Sequence, residues 1–119
     1  MNLKPQHNVL SIRASVVAYV ELLASASAQA RYERDVPHAF VPGELIEADD
    51  QLLHIKSPAY VDAFTDAEHR DLAHLYGLIR EAAPVEASTV AELQKRPEWR
   101  RVMTLAKNLA VQLNRNANL

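Results

Sequence analysis

The sequence predicts an all-α domain, and three observations carry that expectation. Glycine is nearly absent, with two in 119 residues, against an average near 7%. Hairpins turn on residues with positive φ, which glycine supplies most readily, so tight strand reversals are scarce. Ala and Leu contribute 34 residues while Val, Ile and Thr contribute 18, a balance that favours helices over strands. Apolar residues also recur at helical spacing between recognisable caps and prolines. With 49% hydrophobic and 24% charged residues, the chain is globular in character, and residues 1–119 read as one domain.

The first helix is expected from a cap at Asn8 to about Arg34. Val9, Ile12, Val16, Tyr19, Val20, Leu23 and Ala30 form its inner face, and Leu10, Val17, Ala24 and Ala28 widen it to about half the perimeter. A helix that apolar needs neighbours on two sides, or a second copy of the chain. This breadth is the basis for expecting a homodimer.

Pro37, Pro42 and Gly43 then punctuate a loop, and Val41-Pro-Gly-Glu44 fits a type II turn with Gly43 at positive φ. Glu44 to Lys56 reads as a helix through Leu45, Ala48, Leu52 and Ile55. The alternative is a small hairpin near 44–56, turning at Ala48-Asp49-Asp50. Ser57-Pro58 opens a short helix through Phe64, with the serine as cap and proline at the first helical position.

Thr65-Asp-Ala-Glu68 is a capping box that opens a helix to about Ala83, with Leu72, Leu75, Tyr76, Ile79 and Ala83 inward. Gly77 lies off that stripe, which suggests a close backbone contact. Thr89-Val-Ala-Glu92 repeats the capping box for a short helix ending before Pro97. Pro97 starts the last helix, to about Asn114, whose stripe is Trp99, Val102, Met103, Ala106, Leu109, Ala110 and Leu113. The expected architecture is therefore two long helices, a third nearly as long, and short connecting helices.

Several function classes are excluded by what the sequence lacks. Too little glycine is present for a P-loop or a dinucleotide fingerprint. Without cysteine, disulfides, thiolate catalysis and Cys-ligated zinc are out. Lys4 and Arg13 precede an apolar run that Glu21 interrupts after seven residues. That segment reads as an amphipathic helix rather than a signal peptide, and no run is long enough for a membrane span. The expectation is a cytoplasmic protein.

Asp66, Glu68, His69, Asp71 and His74 crowd together as a metal site would. Two helical histidine ligands need a spacing of four, however, and His69 and His74 are five apart. His69 is better placed to pack on Phe64 across the helix cap, and His74 to face solvent. No serine sits on a strained turn beside a base. No metal or cofactor is expected, and an enzyme, at most a small metal-dependent one, is the least favoured reading.

Charge is segregated along the chain. Residues 35–98 hold thirteen acidic and five basic side chains, and residues 99–119 hold four basic and no acidic ones. Glu44, Glu47, Asp49 and Asp50 place four carboxylates within seven residues, an acidic patch suited to steering a partner with a basic surface. Lys95, Arg96, Arg100 and Arg101 surround Trp99 at the start of the last helix, a pattern with some likeness to a DNA-reading helix. The net charge of −2 argues against nucleic acid as the partner. The sequence therefore points to a non-enzymatic protein-binding module, an inhibitor or immunity-type protein that occludes a basic partner. A DNA-binding regulator is the alternative.

Overall fold

A computed structural model describes residues 4–53 and 57–117. Seven helices follow in order: α1 (Lys4–Ala24), α2 (Ala26–Asp35), α3 (Val41–Leu52), α4 (Pro58–Asp62), α5 (Asp66–Ala82), α6 (Val90–Gln94) and α7 (Pro97–Ala117). Among the described residues there is no strand, so the all-α expectation holds and the hairpin alternative does not. Residues 54–56, the end of the segment expected to be helical, lie outside the described residues.

The expected stripe of α7 is the spine of the core. Trp99, Val102, Ala106, Leu109 and Leu113 are buried, and α7 packs against α1 on one flank and α5 on the other. Side-chain bonds fix the directions. Arg13 of α1 reaches the Leu113 carbonyl, whereas Gln29, just past the end of α1, meets Trp99, so α1 and α7 run antiparallel. Asn116 near the end of α7 meets Glu68 in the first turn of α5, so that pair is antiparallel too. α3 lies across both α1 and α5, α4 packs on α1, and α2 and α6 close the Trp99 end.

The expected single first helix is two helices. The chain bends by 104° between Val9–Ala24 and Ala26–Asp35. Ser25 has extended backbone and its hydroxyl accepts from the Ala28 N–H, capping α2. Breaking the helix leaves the Leu22 and Leu23 carbonyls without helical donors. The Gln29 side-chain amide supplies both, at 3.2 and 3.0 Å. Its Oε1 accepts from the Gln94 amide at 3.2 Å and the Trp99 indole N–H at 3.1 Å. An amide has two donors and two acceptor sites, and this buried side chain uses all four.

Three further expectations are corrected. α1 begins at Lys4, before Asn8. Residues 41–44 are not a type II turn: Val41 and Pro42 are the first residues of α3, and Gly43 is helical rather than at positive φ. Proline is well suited to a first helical turn, because the N–H it lacks would have had no helical acceptor. Gly77 makes no close contact, since a Cβ added there would meet nothing within 4 Å.

The caps at Ser57 and Thr65 form as expected, with both arms of the capping box on α5 present, whereas on α6 the expected box is reduced to the Thr89 hydroxyl accepting from the Glu92 N–H. His69 packs against Phe64 and Tyr60, with ring centroids 5.6 and 5.4 Å away, while His74 is exposed. Among the described residues no single helix is long and apolar enough to cross a membrane.

Candidate functional site

The four carboxylates of the expected acidic patch all lie on α3, and helical geometry divides them. Asp49 follows Leu45 by four residues and precedes Leu52 by three, so it shares their inward face. It is fully buried, and Arg80 of α5 grips it with two bonds, Nε to Oδ2 at 2.9 Å and Nη2 to Oδ1 at 3.2 Å. Burial pushes the Asp49 carboxyl above its ordinary value, and the guanidinium pulls against that. Asp49 cannot line a docking surface, which corrects that part of the sequence reading. Its place in the apolar stripe was the signal that could have shown this.

Glu44, Glu47 and Asp50 are exposed. Glu44 accepts from the Tyr32 hydroxyl at 2.8 Å, and Asp50 from the Tyr76 hydroxyl at 3.0 Å. Both bonds hold the phenols above their ordinary pKa, because each proton is shared with a carboxylate. Glu47 has no ion pair among the described residues. Nearby, the Tyr19 hydroxyl donates to the Leu45 carbonyl and joins α1 to α3. Burial pushes that phenol well above its usual range.

Beside Glu47 the surface is concave. A groove of about 490 Å³ runs between the first turns of α3 and the connection from α5 to α6. Phe40, Pro42, Gly43, Ile46 and Glu47 form one wall, and Ala83 to Ser88 form the other, with Leu93 and Arg80 also lining it. Phe40 is 60% exposed at this groove. The connection is held in place by the Arg96 guanidinium, which donates to the Glu86 carbonyl at 3.2 Å.

Lys95, Arg96, Arg100 and Arg101 are all exposed around the start of α7. Arg100 donates through Nε to the Gln94 carbonyl at 3.2 Å. Arg100 and Arg101 edge a shallow depression between α5 and α7 with His74, Leu78 and Leu105. Trp99 is buried beneath them and offers no ring to a base.

A second ion pair, between α1 and α5, was missed by sequence reasoning. Arg13 of α1 makes a two-bond pair with Glu68, both bonds 3.0 Å, and also donates to the carbonyls of Ala63 and Leu113. The Arg13 guanidinium carbon lies 5.3 Å from the Phe64 ring centroid. Glu68 accepts as well from Asn116 and from the Thr65 N–H. Burial alone would raise the Glu68 pKa, but these bonds outweigh it and bring it down to about 2. The signal was an arginine four residues after Val9 and three before Val16, inside an apolar face. Among the described residues, His, Asp and Glu do not gather in threes as metal ligands would.

No protein-family model, curated protein or solved structure matches this chain.

Proposed function

We propose that this chain is a non-enzymatic protein-binding module, an inhibitor or immunity-type protein that covers a basic surface on its partner. The observation that carries the reading is Phe40, an aromatic side chain 60% exposed at the edge of a groove and beside an outward acidic helix face. Aromatic anchors in grooves are where protein interfaces concentrate their energy. Carboxylates on the exposed face of α3, here Glu44, Glu47 and Asp50, of which Glu47 lines the groove, speed encounter with a basic surface and select against acidic ones. His69 packs on Phe64, and Ser25 and Ser57 cap helices, so these three side chains serve the fold's own contacts. The same reading includes a homodimer joined through the outer strip of α1, where Leu10 is 76% exposed.

Capture from cell lysate tests this proposal against the DNA-binding alternative. Variants changing Phe40 to Ala, or Glu47 and Asp50 to Lys, lose the partner. A variant reversing Arg100 and Arg101 keeps it. Asp49 is left unchanged, because reversing a buried charge would test folding instead. Nuclease-sensitive capture that is lost only on changing Arg100 and Arg101 would overturn the protein-docking reading.

A further inference from the structure

Gly43 stands in the first turn of α3 with ordinary helical backbone, so its lack of a side chain is not required by conformation. Glycine weakens a helix relative to alanine. What it provides here is room. A Cβ at position 43 would lie 2.7 Å from Phe40 Cδ2 and 2.9 Å from Cε2, because the Phe40 ring folds over that spot. The ring is therefore seated on the helix while remaining mostly open to solvent.

The charges around the ring decide what it suits. Glu47, one helical turn beyond Gly43, and Glu86, on the opposite wall, both line the groove and are exposed. Among the described residues neither has an ion pair. The groove's cation, Arg80, is already neutralised by Asp49 through Nε and Nη2. The lining is thus net negative, with an aromatic face beside it.

We propose that this groove seats a cationic side chain, arginine or lysine, from the protein partner. Its stem and charged head lie on the Phe40 ring, and Glu47 and Glu86 share the charge. An aromatic ring attracts a cation through its electron-rich face, and the stem of such a side chain also covers apolar surface. Pro84 and Val85, which line the groove and are not buried, supply that surface. This inference rests on the docking function proposed above and names the chemistry of its central contact.

The test uses two small probes on the full chain. N-acetyl-arginine amide and its uncharged counterpart, N-acetyl-norleucine amide, are titrated into nitrogen-labelled protein and followed by amide NMR. The arginine probe is expected to shift the amides of Gly43, Glu47, Glu86 and Ala87 saturably and more tightly than norleucine does. Phe40→Ala should weaken that binding about three- to fivefold. Glu47→Gln with Glu86→Gln should weaken it to a similar degree, about two- to fivefold.

Gly43→Ala is the sharpest variant, because alanine favours the helix and the fold is retained, yet the ring must leave its seat. It should weaken the arginine probe as Phe40→Ala does. Equal binding of norleucine and arginine would overturn the inference while leaving a docking groove in place. The absence of any saturable shift with arginine would overturn it as well. The docking function itself fails on a different result, capture of the partner undiminished by Phe40→Ala.

Discussion

The Trp99 indole N–H donates to Gln29 Oε1 at 3.1 Å, joining the first turn of α7 to the corner between α1 and α2 across a sequence separation of 70 residues. Removing the amide would leave the indole N–H and the Leu23 carbonyl without this partner, and the Leu22 carbonyl with only the Ser25 N–H at 3.3 Å. Gln29→Ala should therefore cost about 3 kcal/mol, since stranded buried polar groups are expensive. Trp99→Ala should cost roughly 3–5 kcal/mol, mainly through the cavity it opens. Denaturant unfolding of both variants measures this. A loss under about 1 kcal/mol at either site would contradict the buried contact.

Acid should weaken the fold through Glu68. Its carboxyl titrates near 2 in the folded chain against an ordinary value of 4.5. A depressed carboxylate stabilises the folded state above the higher value and loses that contribution as pH falls towards the lower one. Stability of the wild type should therefore decline between pH 4.5 and about 2. Glu68→Gln should be less stable at neutral pH and show a shallower decline across that window. The check is the denaturation midpoint measured as a function of pH.

Arg80 is 38% exposed but its partner Asp49 is fully buried, so the two ends of the pair respond differently to mutation. Arg80→Ala leaves a buried carboxylate without a cation, at a cost of about 3 kcal/mol. The stranded Asp49 would take up a proton more readily folded than unfolded. The variant should accordingly recover stability as the pH is lowered, opposite in sign to the Glu68 effect. Asp49→Asn should be milder than Arg80→Ala. Thermal melts at neutral and mildly acidic pH separate these outcomes.

Gly77 offers a gain. It is inside α5 and a Cβ there meets no atom within 4 Å. Gly77→Ala should raise stability by about 0.5–1 kcal/mol by improving helix propensity and restricting the unfolded chain. A loss on calorimetry would mean that the position has a close neighbour.

Self-association has been narrowed by the fold. α7, α4, α3 and α2 all pack on α1 and cover most of its apolar perimeter. What remains is the strip Leu10, Ala14, Val17 and Ala18 along a shallow groove beside α7, with Val111 57% exposed one turn before Asn114. A dimer through this strip should sediment at twice 13.3 kDa at micromolar concentration. Leu10→Glu with Val111→Glu should return it to a single mass. A wild-type chain that sediments as a monomer would overturn the proposal.

Local physics made most of the helices legible. The stripe on α7, the capping box at Thr65 and Glu68, and the edge-on packing of His69 against Phe64 depend on neighbours within a turn or two. The break at Ser25 was harder to read. A serine in an apolar, alanine-rich run is compatible with an unbroken helix, and what tips the balance is Gln29 meeting Trp99, a contact across most of the chain. The candidate site divided in the same way. Counting carboxylates found the acidic face of α3, but its helical register put Asp49 inside. The groove was invisible beforehand because its second wall, Ala83 to Ser88, comes from a distant part of the chain.

The Gln29 corner has a consequence for how this chain can vary over generations. A reversal built on a glycine depends on one residue's freedom, and its surroundings can drift independently. Here the direction of α2 is set by a side chain with four simultaneous obligations, two to the backbone and two to Gln94 and Trp99. A change at 29 is tolerable only if 94 and 99 change in concert, so the three positions should be inherited as a unit. Arg31, exposed on the same helix, takes part in none of these four bonds and is free to diverge.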